Sequence, residues 1–106
     1  MSYSTAIFQI LKAIETLDDS VDFNLFKVFD ISKINISEKL LIKILKNLIE
    51  EGYIKNFQIT VSGNNIFTSN YPELTLKGML FLEENSSMKK AYRTLKEIKG
   101  WIPGFN

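Results

Sequence analysis

Residues 35–70, NISEKLLIKILKNLIEEGYIKNFQITVSGNNIFTSN, decide the fold. Apolar residues recur every three or four positions between 40 and 48, which predicts an amphipathic helix. Gly52 predicts its end, because a glycine just beyond the last turn adopts the left-handed conformation without strain. Two runs of alternating polarity follow, separated by Ser62-Gly63-Asn64-Asn65, and predict a β-hairpin. The stretch therefore predicts helix, strand, turn and strand in that order.

The ends of these elements are predicted from turn and capping residues. One strand is predicted to run without interruption from Tyr53 to Val61, and the return strand from about Asn65 to Ser69. Two residues are candidates for the helix N-cap. Asn35 stands three residues before a glutamate, as in a capping box, and Ser37 lies two residues further on. The sequence leaves this choice open.

Two helices are predicted before this stretch. Apolar residues at helical spacing predict a first helix from Ser4, as its N-cap, to Leu17. Residues 23–29 are rich in aromatic and β-branched side chains, and they predict either a short second helix or an irregular segment. The amphipathic helix at 35–51 is thus predicted to be the third.

Two further helices are predicted after the hairpin. Thr75 predicts the N-cap of a fourth helix. Gly78 lies inside that helix, where it costs about 1 kcal/mol relative to alanine, so we expect another helix to approach closely there. An apolar stripe that begins at Met88 predicts a fifth helix over about 87–101. The order predicts an α+β winged helix-turn-helix with an appended C-terminal helix, as one domain over residues 1–106.

The composition limits the possible functions. The chain has 106 residues, 45% of them hydrophobic and 24% charged, which suits one globular domain. It has no cysteine and no histidine, so thiolate metal sites and the commonest general base are missing. No glycine-rich phosphate loop or nucleophile elbow occurs, so we expect neither an enzyme nor a cofactor. No run of about 20 apolar residues occurs, so we expect a cytoplasmic protein without a membrane segment.

Three pieces of the sequence carry a resemblance to a known family: EGYI at 51–54, ELTLKG at 73–78 and KAYRTLKEIKGWIP at 90–103. With them the chain resembles the YjcQ-like proteins of Gram-positive bacteria and their phages, over most of its length. The resemblance implies a winged-helix fold with an appended C-terminal helix and a phage or prophage origin. It implies no biochemical role, because the family has none established, and no functional residue can be carried over.

The outward side of the third helix suggests contact with double-stranded DNA. Lysines on this side could reach phosphates, and an asparagine could pair with an adenine edge. One more basic residue lies between Tyr53 and Asn70, at the start of the hairpin region. The hairpin tip is uncharged and two glutamates flank the lysines, so an ordinary solvated face is the competing interpretation. The candidate DNA-binding residues are Lys39, Lys43, Lys46, Asn47 and Lys55.

The alternative function is a protein-interaction module that does not bind DNA. Its contact surface would be apolar or basic, around Ile42, Ile49 and Trp101. The last predicted helix has a basic side, and residues 86–106 carry five basic residues against one glutamate. Its apolar stripe is predicted to pack on the first helix of the same chain or to pair with a second copy as a homodimer. The candidate interface residues are Leu95, Ile98, Trp101 and Ile102.

Overall fold

The fold is described from a computed structural model, which describes residues 3–18, 20 and 22–85. These residues form a mixed α+β fold with two antiparallel sheets of two strands each. The elements in chain order are α1 Tyr3–Glu15, α2 Leu25–Val28, α3 Ile31–Ile34, α4 Glu38–Glu50, β1 Ile54–Lys55, β2 Gln58–Ser62, β3 Asn65–Ser69, β4 Glu73–Leu74 and α5 Leu76–Glu84. The predicted fifth helix at 87–101 lies outside the described residues. No helix within the described ranges is long and apolar enough to cross a bilayer.

One apolar core holds the elements together. Helix α1 contacts α3, β4 and α5, while α4 contacts β1 and β2. Both long helices carry buried residues at helical spacing, and these residues belong to one hydrophobic cluster. The largest fully buried side chains are Ile10, Leu11, Phe29, Leu41 and Leu45.

The predicted third helix is α4, and both of its ends are capped. The Ser37 hydroxyl accepts a hydrogen bond from the Leu40 N–H at 3.1 Å, so Ser37 is the N-cap. The capping box that begins at Asn35 is wrong, because Asn35 ends α3 in the left-handed conformation with φ of 65°. At the other end Gly52 has φ of +82°, and the Tyr53 N–H donates to the Leu48 carbonyl at 2.9 Å. That bond and the left-handed glycine make a Schellman motif.

The strand predicted as one run over 53–61 is two strands in two sheets. Asn56 separates them with φ of +57°, a left-handed conformation that interrupts an extended chain. As a result β1 pairs with β4, while β2 pairs with β3. The Asn56 side-chain amide also donates to a Glu73 carboxylate oxygen at 2.8 Å, which ties the break to β4.

The hairpin β2–β3 confirms the predicted return strand over Asn65–Ser69. Ser62 faces Asn65 across the ladder, so only Gly63 and Asn64 form the turn. Gly63 has φ of +62°, and glycine at the first turn position is typical of a type II′ turn.

The N-terminal half differs from prediction in two details. Ser4 lies inside α1, which starts at Tyr3 within the described residues, so Ser4 is not an N-cap. The segment 23–29, for which a short helix or an irregular segment was predicted, contains the single-turn helix α2, and a second single-turn helix that was not predicted, α3, follows it. Asp30 separates them and caps α3, because its carboxylate accepts a hydrogen bond from the Ser32 N–H at 3.1 Å.

Candidate nucleic-acid interface

The exposed side of α4 is the candidate interface. The helix buries its apolar residues and leaves the residues between them to solvent, as the 3.6-residue period requires. Four of the predicted DNA-contact residues share this exposed side: Lys39, Lys43, Lys46 and Asn47. We call this set the α4 donor face.

The α4 donor face is available to a ligand. Within the described ranges, no ion pair or hydrogen bond is assigned to the side chains of Lys39, Lys43 or Lys46. The rise of a helix places Lys39 and Lys46 about 10 Å apart along the axis, close to the width of the major groove of B-DNA. Glu50 continues the same exposed stripe toward the helix C-terminus. The α4 donor face therefore combines three cations and one amide, with one acid, Glu50, beside it.

The hairpin β2–β3 is the neighbouring feature, because β2 contacts α4. One face of the hairpin packs toward the core through the half-buried Ile59 and Ile66. The other face bears Thr60 opposite Phe67, whose side chain is 56% exposed. No charged residue occurs between Lys55 and Glu73, so the hairpin adds hydrogen-bonding groups and one aromatic ring but no cation.

Phe23 fixes the base of the hairpin. Its ring lies edge-on to Phe57, which precedes β2, with 5.2 Å between ring centroids, and to Tyr71, which follows β3, at 6.0 Å. A third edge-on contact at 6.4 Å joins it to Phe29 in the core. This role of Phe23 was not predicted from the sequence. The aromatic enrichment of residues 23–29 was the available signal, but it did not identify the partners.

Lys55 is separated from the α4 donor face by its position on β1. It is exposed, and it lies opposite Glu73 in the β1–β4 register. An acidic residue directly across a strand pair attracts the lysine and competes with a phosphate. Lys55 therefore contributes less to the binding of an anionic ligand than its charge alone indicates.

The C-terminus of α4 is joined to the start of α5. The Thr75 hydroxyl donates to the Gly52 carbonyl and accepts from the Gly78 N–H at 3.1 Å, so it caps α5 as predicted. The Lys77 ammonium donates to the Glu51 carbonyl at 2.8 Å and lies 4.6 Å from the centroid of the Tyr53 ring. A cation suits this place, because the last carbonyls of a helix carry partial negative charge. These bonds hold α4 in one orientation.

The apolar surface predicted around Ile42 and Ile49 is not exposed. Ile42 is buried, and Ile49 is half-buried against the core. Exposed apolar side chains lie instead on α5, where Leu76 is 70%, Met79 52% and Leu80 45% exposed. The other predicted interface residues, Leu95, Ile98, Trp101 and Ile102, lie outside the described part of the chain.

Comparison with known proteins places the sequence of this chain in a family. The profile of the YjcQ protein family matches residues 8–101. The chain belongs to the YjcQ family. This confirms the resemblance carried by residues 51–54, 73–78 and 90–103.

One relative in the YjcQ family is the "Uncharacterized protein YjcQ" of Bacillus subtilis (strain 168). It is 44% identical to this chain over 55 residues, a match that spans 52% of the chain and 57% of the relative. Its name states no activity. No solved structure matches the chain at a significant level.

Proposed function

We propose that this chain is a winged-helix protein that binds double-stranded DNA through the α4 donor face. In that fold the helix before the hairpin enters the major groove, and the hairpin is the wing. The order α4, β1, β2, β3 supports this assignment. So does the pairing of β2 with β3 into a projecting hairpin beside α4.

One observation carries the proposal: Lys39, Lys43, Lys46 and Asn47 lie exposed on one side of a helix whose opposite side is buried. Burial of the apolar side fixes which side faces outward. Lysine ammonium groups bind phosphates as mobile point charges, and an asparagine amide matches the adenine edge in the major groove. The bonds from Thr75 and Lys77 to the end of α4 hold the helix rigid, which suits a docking element.

The number of cations predicts modest affinity. Each neutralised phosphate contributes roughly 0.9 to the slope of log affinity against log salt. Three lysine contacts therefore predict a slope of roughly −2.7 and an affinity loss of roughly 40-fold between about 50 and 200 mM salt. An uncharged wing adds hydrogen bonds to this total but no further counterion release.

The test is a fluorescence-anisotropy titration of a labelled mixed-sequence duplex at several salt concentrations. The double variant Lys43→Glu/Lys46→Glu should lose more binding free energy than its two lysine contacts supply, because each glutamate also repels phosphate. We expect its salt slope to flatten by roughly 2 and its affinity at low salt to fall at least tenfold.

The matched control is Lys27→Glu/Lys33→Glu, which makes the same charge change at two exposed lysines of α2 and α3. We expect it to keep most of the affinity of the unaltered chain. Equal losses in the two double variants would indicate attraction by net charge alone. Absence of binding to the duplex even at low salt would exclude the proposal.

The alternative is a protein-interaction module on the same scaffold. The exposed apolar side chains on α5 support it, because clustered apolar surface is typical of a contact site. Under this alternative the Lys43→Glu/Lys46→Glu variant would keep its partner, and substitutions on α5 would lose it.

A further inference from the structure

Three of the six large apolar side chains that are exposed in the described ranges lie close together on α5. They are Leu76, Met79 and Leu80, which are 70%, 52% and 45% exposed. Exposed apolar residues that occur singly are ordinary, whereas a group of them is typical of a contact surface. Leu76 and Leu80 also border a shallow groove with a volume of about 350 Å³, whose lining residues are Tyr53, Leu76, Lys77, Leu80, Phe81 and Glu84.

Leu80 lies at the centre of the outward side of this helix. Gly78 and Leu82, which are buried, are two residues before it and two residues after it. Each residue turns the helix by about 100°, so Leu80 points directly away from the buried side. Leu76 lies one turn earlier and forms a continuous strip with Leu80. A partner that approaches α5 from solvent therefore meets this strip first.

Charges of opposite sign lie at the two ends of the strip. Lys77 and Glu84 are both exposed, and their spacing of seven residues places them on the same flank, about 10 Å apart along the axis. Within the part of the chain that the structure describes, no ion pair is assigned to either side chain. The Lys77 ammonium contacts two neutral groups, the Glu51 carbonyl and the Tyr53 ring. Its positive charge is therefore not offset by these contacts.

This pattern is complementary to itself when its direction is reversed. Lys77 precedes Leu80 by three residues, and Glu84 follows it by four. Two antiparallel copies of α5 centred on Leu80 therefore bring the lysine and the glutamate to within about 2 Å of the same height along the axis. The twofold axis forms this pair twice. Parallel copies would instead place Lys77 beside Lys77, and like charges repel.

We propose that two copies of this chain associate through α5, with the two helices antiparallel about a twofold axis at Leu80. In this arrangement the two Leu80 side chains pack against each other, and Lys77 of each copy faces Glu84 of the partner subunit. Two turns of helix per copy make a small contact, and interfaces below about 1,200 Å² are typical of weak, transient association. The proposal is independent of DNA binding, because it concerns α5 and not the α4 donor face.

The first test is a pair of charge reversals followed by sedimentation equilibrium of the full chain at low salt. Glu84→Lys places two lysines opposite each other at both ends of the contact, and Lys77→Glu places two glutamates there. We expect each variant alone to associate roughly tenfold more weakly than the unaltered chain. In an equimolar mixture of the two variants, the heterodimer again pairs opposite charges at both ends. We expect the mixture to associate about as tightly as the unaltered chain.

The matched control is Glu83→Lys, which makes the same charge change on the other flank of the strip. We expect it to alter the association by less than about twofold. A chain that stays monomeric at every concentration would overturn the proposal. So would two variants that associate no better when mixed than when each is alone.

The second test leaves Lys77 in place, because Lys77→Glu also removes the hydrogen bond to the Glu51 carbonyl. The chain has no cysteine, so Leu80→Cys introduces a single thiol. Helix axes that pack about 8–10 Å apart bring facing Cα atoms to within roughly 6 Å, which a disulfide can span. Leu80→Cys should therefore form a disulfide-linked dimer under mild oxidation, at a rate that rises with protein concentration.

The control for this test is Met79→Cys, which moves the thiol one residue, to a site that is also exposed but lies off the strip. We expect Leu80→Cys to react roughly tenfold faster than Met79→Cys. Equal rates would show that the thiols meet by random collision, and the proposed antiparallel contact would then be wrong. Both side chains are exposed in the described domain, so neither replacement removes a core side chain.

Discussion

Position 78 requires glycine because a carbonyl oxygen from a distant part of the sequence lies beside it. A Cβ placed on Gly78 would lie 2.5 Å from the Tyr53 carbonyl oxygen, and that oxygen already accepts a hydrogen bond from the Thr75 N–H at 3.1 Å. The residue that comes close is therefore part of the chain between α4 and β1. The prediction that another helix packs there is wrong. The glycine is needed for close approach, as predicted, but to backbone of a different element.

Gly78→Ala is expected to destabilise the protein by about 1 to 3 kcal/mol, because overpacking against backbone outweighs the roughly 1 kcal/mol that alanine gains in a helix. Urea unfolding followed by circular dichroism measures the change. The control is Glu83→Ala at an exposed site of the same helix, which should stay within about 0.5 kcal/mol of the unaltered chain. An alanine variant as stable as the unaltered chain would mean that the Tyr53 carbonyl can shift away from the added methyl group at little cost in free energy.

At the scale of elements, the stability of the four-residue helix α3 depends mainly on its N-cap, Asp30. Asp30 accepts hydrogen bonds from the Ser32 hydroxyl at 2.6 Å and from the Ser32 N–H at 3.1 Å. The hydroxyl hydrogen bond is the main cause that lowers the pKa of the Asp30 carboxyl below its usual range. A pKa lowered by folding means that the folded state binds the proton less tightly than the unfolded state does.

The contribution of Asp30 to stability should therefore be present above its usual pKa, about 3.9, and be lost as the pH falls through the lowered pKa of the folded state. We expect the stability difference between the unaltered chain and Asp30→Ala to be larger near pH 7 than near pH 3. Urea unfolding at both pH values measures it. Asp22→Ala, which alters an exposed carboxylate with no assigned hydrogen bond in the described ranges, should show no such change. A pH-independent difference for Asp30→Ala would contradict the assignment.

At the scale of the whole molecule, the aromatic cluster around Phe23 joins parts of the chain that are far apart in sequence. It links the segment before α2 to both ends of the β2–β3 hairpin and to Phe29 in the core. The hairpin has few other attachments, because most of its residues are exposed. Its orientation beside α4 therefore depends on Phe23.

Phe23→Ala is expected to cost about 2 to 4 kcal/mol, since it removes a half-buried ring and three edge-on contacts. Amide hydrogen exchange in β2 and β3 should accelerate more than exchange in α1. The matched control is Phe67→Ala, the same replacement at an exposed site of the hairpin, which we expect to cost under about 1 kcal/mol. Uniform acceleration throughout the described part of the chain would show that Phe23 supports the core in general.

The sequence by itself determined the local elements. The amphipathic pattern of α4, its ending at Gly52, the return strand and the Thr75 cap all depend on residues within a few positions of one another, so they can be predicted from the chain alone. The sequence alone leaves the start of α4 open between Asn35 and Ser37. The outward position of Lys39, Lys43 and Lys46 follows from the same helical period. Whether those lysines bind DNA stays a prediction.

Only the tertiary structure decided which distant residues meet. The break at Asn56 exists because β1 and β2 have different partners, and Gly78 is required because Tyr53 passes beside it. The contacts of Phe23 with Phe57 and Tyr71 join residues more than thirty positions apart. Such contacts depend on how the elements pack and not on local spacing, so a single sequence contains no pattern that specifies them. For the same reason, the exposure of Leu76 and Leu80 depends on the packing of the other side of α5 on the core.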